Sequence, residues 1–188
     1  MPAAVASANL HDAPCGGYGL SQSTDAHHAQ SPHTVRCAVV TVSDTRTIAT
    51  DTGGKLIVEM LEAAGHSVAA REIVRDEPEL MRPLLTRLAG MQDVDAILMT
   101  GGTGIASRDQ TFETVSTLLN KHLPGYGEIF RMLSYDDIGP AAMLSRAIGG
   151  VMSGKILLTM PGSPAAVRLA MEKLIVPELG HLVWEARR

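Results

Sequence analysis

A chain of 188 residues fits one domain large enough to bury a full core, and a composition of 45% hydrophobic but 3% aromatic residues requires that core to be aliphatic. The net charge of −4 argues against a general nucleic-acid binder, and two cysteines are too few for a disulfide framework or a thiolate zinc site. No apolar run reaches the ~18 residues that would span a membrane.

Met1 to His33 lacks the basic start and apolar centre of a secretory signal and is rich in Ala, Ser, Gly, His and Pro. It reads as a flexible tail, and with so few cysteines the cytoplasm is the expected location. His27, His28 and His33 read as solvated polar residues, because no partner ligands stand at fixed spacing from them. Regular structure is expected from residue 34 onward. Val35 to Ser43 is a valine-rich apolar run, as in a buried parallel strand. Asp51 and Thr52 offer a helix cap, Leu56, Ile57, Met60, Leu61 and Ala64 give one helical face, and Gly65 supplies the stop. Ser67 to Val74 is a second strand. Pro78 suits a helix start with Leu80, Leu84, Leu85 and Leu88 as its stripe, while Pro83 should kink that helix or mark its true beginning.

Ala96 to Thr100 is a third strand that ends directly in glycines, followed by a helix from about Thr111 to Lys121 with Val115, Leu118 and Leu119 inside. Pro124 to Gly150 reads as irregular, with a short helix around Ile129 to Leu133 and a turn at Gly139-Pro140. Lys155 to Met160 is the last clear strand, and the closing helix carries Val167, Met171 and Leu174. Strands alternating with helices predict a three-layer α/β/α domain around a mainly parallel sheet.

In such a sheet, ligands bind beyond the carboxyl ends of the strands. Three strands end in unusual sequences there: Ser43-Asp44, Thr100-Gly101-Gly102-Thr103-Gly104, and Pro161-Gly162-Ser163-Pro164. Adjacent glycines expose backbone N–H groups of the kind that hold phosphate, although a plain strand-to-helix turn has the same appearance. The spacing matches neither a Walker A loop nor a dinucleotide fingerprint. Beyond the glycines, Arg108 can neutralise phosphate and Asp109 can hold hydrated magnesium against phosphate oxygens. Asp109 can equally be the helix cap, with Thr111 just inside it.

Thr100-Gly-Gly-Thr-Gly104 leading to Arg108-Asp109-Gln-Thr111 resembles the signature of molybdenum-cofactor biosynthesis proteins of the MoaB/Mog type. So do Val42-Ser-Asp-Thr45, Leu123-Pro-Gly-Tyr-Gly-Glu128 with Phe130 to Tyr135, Ser145-Arg146 and Met160-Pro-Gly-Ser163, in that order over residues 34 to 185. The run from Ser134 to Pro140 leans toward the MoaB branch, and Phe112 stands where the family often has proline. The resemblance implies a protein that binds molybdopterin and adenylylates its terminal phosphate, with ATP as co-substrate and Mg2+ present. The alternatives are a carrier without turnover and an oligomeric scaffold. It also implies a homotrimer or homohexamer and a downstream metal-insertion protein as partner.

By resemblance, Asp76 and Asp109 are the catalytic, magnesium-handling carboxylates, with a simple cap for the helix at Pro78 as the other reading of Asp76. The backbone of Gly101, Gly102 and Gly104, with Thr100, Thr103, Arg108 and Thr111, would hold phosphate. Ser43 and Asp44 would assist with cation or nucleotide. Glu128 would orient the pterin, or instead support the loop or a subunit contact, and Ser145 and Arg146 would contact pterin or phosphate or form a structural salt bridge. Pro161, Gly162 and Ser163 would shape the pocket wall.

Overall fold

The computed structural model describes residues 31–188. Residues 1–30 of the expected tail, with His27, His28 and Cys15, one of the two cysteines, lie outside the described residues. Packing contacts begin ahead of residue 34: a Cβ on Gly180 would stand 2.6 Å from the Pro32 carbonyl oxygen.

Aliphatic runs produce the expected parallel strands β1 (Arg36–Val42) and β3 (Ala96–Thr100), and the expected β2 (Ser67–Val74), which carries Arg71 and Glu72, pairs parallel with β1 at the sheet edge. Helix α1 (Thr52–Ala63) lies between β1 and β2, and α2 (Pro78–Gly90) between β2 and β3. Asp51 caps α1, its Oδ1 accepting from Gly54 N at 2.9 Å, and Gly65 takes a φ of +81° after the helix. Helix α2 begins at Pro78 and runs through Pro83. Its inner face is set by Met81, Leu85, Leu88 and Ala89. Leu80 is exposed, so the apolar stripe starts one residue later than the leucine spacing suggests.

Helix α3 (Thr111–Leu118) is shorter than predicted, because the chain turns at Leu119 into a two-residue strand, β4 (Lys121–His122). The segment expected to be irregular is mostly helical. Helix α4 (Pro124–Ile138) has 15 residues and is followed by a 3-10 turn, Gly139–Leu144. Its Pro and Gly residues read locally as turn signals, yet tertiary packing overrides them: Phe130 is buried, and buried Tyr126 donates its hydroxyl to the Thr159 carbonyl at 3.0 Å. Strand β5 (Gly149–Met152) was not foreseen. It pairs antiparallel with β6 (Lys155–Met160) through a tight turn in which Ser153 and Gly154 both take positive φ. The chain closes with α5 (Pro164–Ala170), a π-helical stretch (Met171–Ile175) and α6 (Val176–Arg187).

The six-stranded sheet has the order β2-β1-β3-β6-β5-β4. β1, β2, β3 and β6 are mutually parallel, while β5 runs antiparallel to β6 and β4. Alternation along β1 feeds two cores. Cys37 and Val39 join the cluster under α1, α4, α5 and α6, whereas Ala38, Val40 and Val42 join the one under α2 and α3. The architecture is the predicted three-layer α/β/α sandwich. Strand order reverses at β1 and β3, which opens a crevice beyond their carboxyl ends.

Candidate functional site

The three predicted loops converge on that crevice. Gly101 N donates to the Met160 carbonyl at 3.0 Å, Thr100 Oγ1 donates to the Pro161 carbonyl at 3.0 Å, and Ser43 N donates to the Val74 carbonyl at 2.8 Å. Gly101 has a φ of +101°, and a Cβ there would lie 2.3 Å from the Val42 carbonyl oxygen. Two features therefore demand glycine at this strand end, the left-handed backbone and the approach of β1. Gly102, at φ +66°, has buried Thr111 and Asp76 directly behind it: a Cβ would meet Thr111 Oγ1 at 2.2 Å and Asp76 Oδ2 at 2.4 Å.

A cavity of about 350 Å³ opens over this floor. Gly102, Thr103, Gly104 and Asp109 line one side, and Pro161, Gly162 and Ser163 line another, with Ser145 beside them. Ser163 also caps α5, its Oγ accepting from Ala166 N at 3.3 Å. Across Gly162, a smaller hollow of about 130 Å³ is lined by Ser43, Thr100 and Gly101 together with Arg46, Asp51 and Gly53. Sequence reasoning missed the far wall of the larger cavity, formed by Phe130, Ser134 and Ile138 of α4 and by Ala141, Ala142 and Leu144 of the 3-10 turn. The signal was present as the four-residue spacing of Phe130, Ser134 and Ile138, which places them on one helical face. Arg46, Asp51 and Gly53 carried no such signal beyond the cap.

Neither predicted carboxylate caps the helix that follows it. Helix α2 starts after Glu77 without a side-chain cap. Asp76 instead reaches across the rim, where its Oδ1 accepts from Gln110 N at 3.1 Å at the start of α3. Burial pushes the Asp76 carboxyl above the ordinary carboxylate range, opposed by that amide and reinforced by the charge of nearby Asp109. Asp109 closes its own turn, with Oδ2 accepting from Ala106 N at 3.0 Å, and a Cβ on Gly104 would stand 2.6 Å from the same oxygen.

The two predicted arginines are engaged with protein groups. Arg108 binds Asp44 through two hydrogen bonds of 2.7 Å, with Glu77 at 3.4 Å, so it fastens the glycine loop to the end of β1. That pairing draws the Asp44 carboxyl below its usual range. Arg146 donates from Nε to the Gly104 carbonyl at 2.7 Å, from Nη2 to the Asp109 carbonyl at 3.1 Å, and from Nη1 to Glu113. Phe112, the departure from the family pattern, lies under the Arg146 guanidinium at 5.3 Å. Glu128 is exposed on α4 and does not line the cavity.

Residues 38–181 match the family model for a probable molybdopterin binding domain. Molybdenum cofactor biosynthesis protein B of Halalkalibacterium halodurans is 54% identical over 164 residues, which span 87% of this chain and 96% of that protein. The Bacillus subtilis protein of the same name is 53% identical over 169 residues, 88% of this chain and 98% of that one. A crystal structure of molybdenum cofactor biosynthesis protein B superposes with a TM-score of 0.81 at 54% identity, covering 85% of this chain and 99% of the other. The tungsten cofactor synthesizing protein MoaB from Pyrococcus furiosus superposes with a TM-score of 0.73 at 33% identity, covering 84% and 100%.

Proposed function

Because this chain belongs to the molybdopterin-binding-domain family of molybdenum cofactor biosynthesis proteins, we propose that its rim cavity holds molybdopterin and that the protein adenylylates the terminal phosphate of that pterin with ATP. The observation that carries the reading is one juxtaposition. A glycine floor lies beneath a cavity of about 350 Å³, and two carboxylates, Asp76 and Asp109, stand within contact distance of its Gly102 and Gly104.

The chemistry is a nucleotidyl transfer. An oxygen of the pterin phosphate attacks the α-phosphorus of ATP, a new P–O bond forms, the bond from that phosphorus to the β-bridging oxygen breaks, and pyrophosphate leaves. The protein has little covalent work in such a step and contributes position and charge. Backbone N–H groups of the glycine loop offset anionic charge, and the apolar wall of α4 and the 3-10 turn covers the pterin ring. Asp76 and Asp109 fit a magnesium site that takes its remaining ligands from water and substrate phosphates, since Mg2+ is commonly held by one or two carboxylates. Magnesium, when bound, supplies the neutralisation that lets two phosphates approach.

The same reading includes self-association as a trimer or hexamer. Met132, Tyr135 and Met143 are 62%, 57% and 72% exposed along α4 and the 3-10 turn, a clustering that supports contact with another copy. A metal-insertion protein is the expected recipient of the product. Among the described residues no helix is long and apolar enough to cross a membrane.

Incubating the protein with molybdopterin, ATP and magnesium, with Asp109→Asn in parallel, tests the proposal. Adenylylated pterin from the wild type and its loss in the variant are expected. Pterin binding without product would leave a carrier in place of an enzyme, and absence of pterin binding would overturn both.

A further inference from the structure

The structure assigns Arg146 as a positioning residue that sets the direction of the glycine-loop peptides, rather than as a ligand contact. The inference rests on the proposed function for its consequence, but its geometry is independent of any ligand. Arg146 takes hold of the loop through carbonyl groups. Its own N–H donates to the Thr103 carbonyl at 2.9 Å, Nε donates to the Gly104 carbonyl at 2.7 Å, and Nη2 donates to the Asp109 carbonyl at 3.1 Å. In a planar trans peptide the C=O and N–H point in opposite directions. Drawing the carbonyls of Thr103 and Gly104 toward Arg146 therefore turns the N–H groups of Gly104 and Ile105 to the opposite side of the loop.

The third peptide shows the device complete. The Asp109 carbonyl is held by Arg146, and the N–H of the same peptide unit, on Gln110, is held by Asp76 Oδ1 at 3.1 Å. One peptide plane is thus fixed at both poles, by a cation on one side and a buried carboxylate on the other. Arg146 thereby fixes where Asp109 begins its turn and what Asp76 faces. Glu113, in the first turn of α3, takes the remaining guanidinium edge, and Phe112 covers the guanidinium face at 5.3 Å. With Nε and both Nη groups engaged, three of the five guanidinium N–H donors are committed to protein acceptors, one face is covered, and the side chain does not line the cavity. Lysine cannot replace it, because a single ammonium does not span three acceptors in a fixed fork.

Backbone hydrogen exchange of full-length Arg146→Lys and Phe112→Ala, read alongside molybdopterin binding, tests the assignment. In Arg146→Lys, the hydrogen-bonded amides of Ala106, Asp109 and Gln110 should exchange about tenfold faster while those of β1 and β3 keep their protection, and pterin affinity should fall with them. Phe112→Ala should change the same amides in the same direction by a smaller factor, which covers the case in which the lysine variant fails to fold. Weakened pterin binding with unchanged loop exchange would make Arg146 a ligand contact and overturn the assignment, as would unchanged exchange in both variants. Failure of the wild type to bind pterin would sink the proposed function and leave the exchange comparison intact.

Discussion

Two buried carboxylates stand at opposite ends of the same sheet in opposite surroundings. Asp95, just before β3 at the amino end, is 4% exposed and is ringed by cations: Arg36 reaches it from Nη2 at 2.7 Å and from Nε at 3.0 Å, and Arg187 of α6 also donates to it. Asp76, just after β2 at the carboxyl end, is 6% exposed and its hydrogen-bond donor is a neutral amide, that of Gln110. Burial raises both acids, but the arginines more than reverse this at Asp95 and hold it at about 2, whereas Asp76 stays above the usual range. The paired carboxylate ties β1 and α6 to the sheet. A buried carboxylate without a matching cation raises the free energy of the fold, and such groups concentrate where a protein acts on something else.

Removing the paired acid should have the largest effect on folding. Asp95→Ala leaves two arginines without their partner and should cost about 3 kcal/mol, the lower end for breaking a buried pair because both arginines are half exposed. Denaturant melts would measure it, and pterin binding below the melting range should persist. The mirror experiment is Asp76→Asn, which keeps an acceptor for Gln110 N. Stability should hold within about 1 kcal/mol while adenylylation falls about a hundredfold or more. A large stability loss in this variant would erase the contrast between the two ends.

Acid titration sharpens the same contrast through sign. The stabilisation from Asp95 is fully present above the ordinary carboxylate pKa of about 4 and is lost as pH falls through its folded value of about 2. The Asp76 contribution runs the other way: it is fully present below the ordinary value and declines as pH rises through the raised one. Between pH 6 and 3, therefore, the stability difference between wild type and Asp76→Asn should move toward the wild type, and that between wild type and Asp95→Asn should move away from it. The smallest stability effect is expected away from both acids. Met132→Glu on the exposed face of α4 should change folding by no more than about 0.5 kcal/mol, while sedimentation should show loss of any higher assembly.

Most of the parallel half of the sheet was legible because β1, β3 and β6 are continuous aliphatic runs, a pattern that is local in sequence. The antiparallel edge was not. Gly149 and Gly150 lack strand propensity and stand there for lack of room: a Cβ would meet Leu158 Cδ2 at 2.4 Å and the Lys121 carbonyl oxygen at 2.1 Å. The same division runs through the site. The glycines, Asp44 and the Pro-Gly-Ser turn could be picked out because each follows a strand end, and Asp76 and Asp109 could be through the motif resemblance. Partners distant in sequence could not: Asp76 serves a helix 34 residues away, Arg146 reaches back 42 residues to Gly104, and Arg108 meets Asp44 across 64. Glu128, inside a recognised motif, is exposed away from the cavity, which leaves its alternative reading of loop support or subunit contact.

The glycine floor has a consequence for how such a protein can diverge. Recognition carried by main-chain N–H groups is untouched by substitutions that leave the backbone in place, so the positions closed to exchange are the glycines themselves, where a Cβ at Gly101, Gly102 or Gly104 would collide. Selection can then rework the apolar wall of α4 and the 3-10 turn, where Ile138 and Leu144 are exposed, without disturbing the glycine floor beneath. A lineage built this way keeps its loop backbone and varies the side chains that face it.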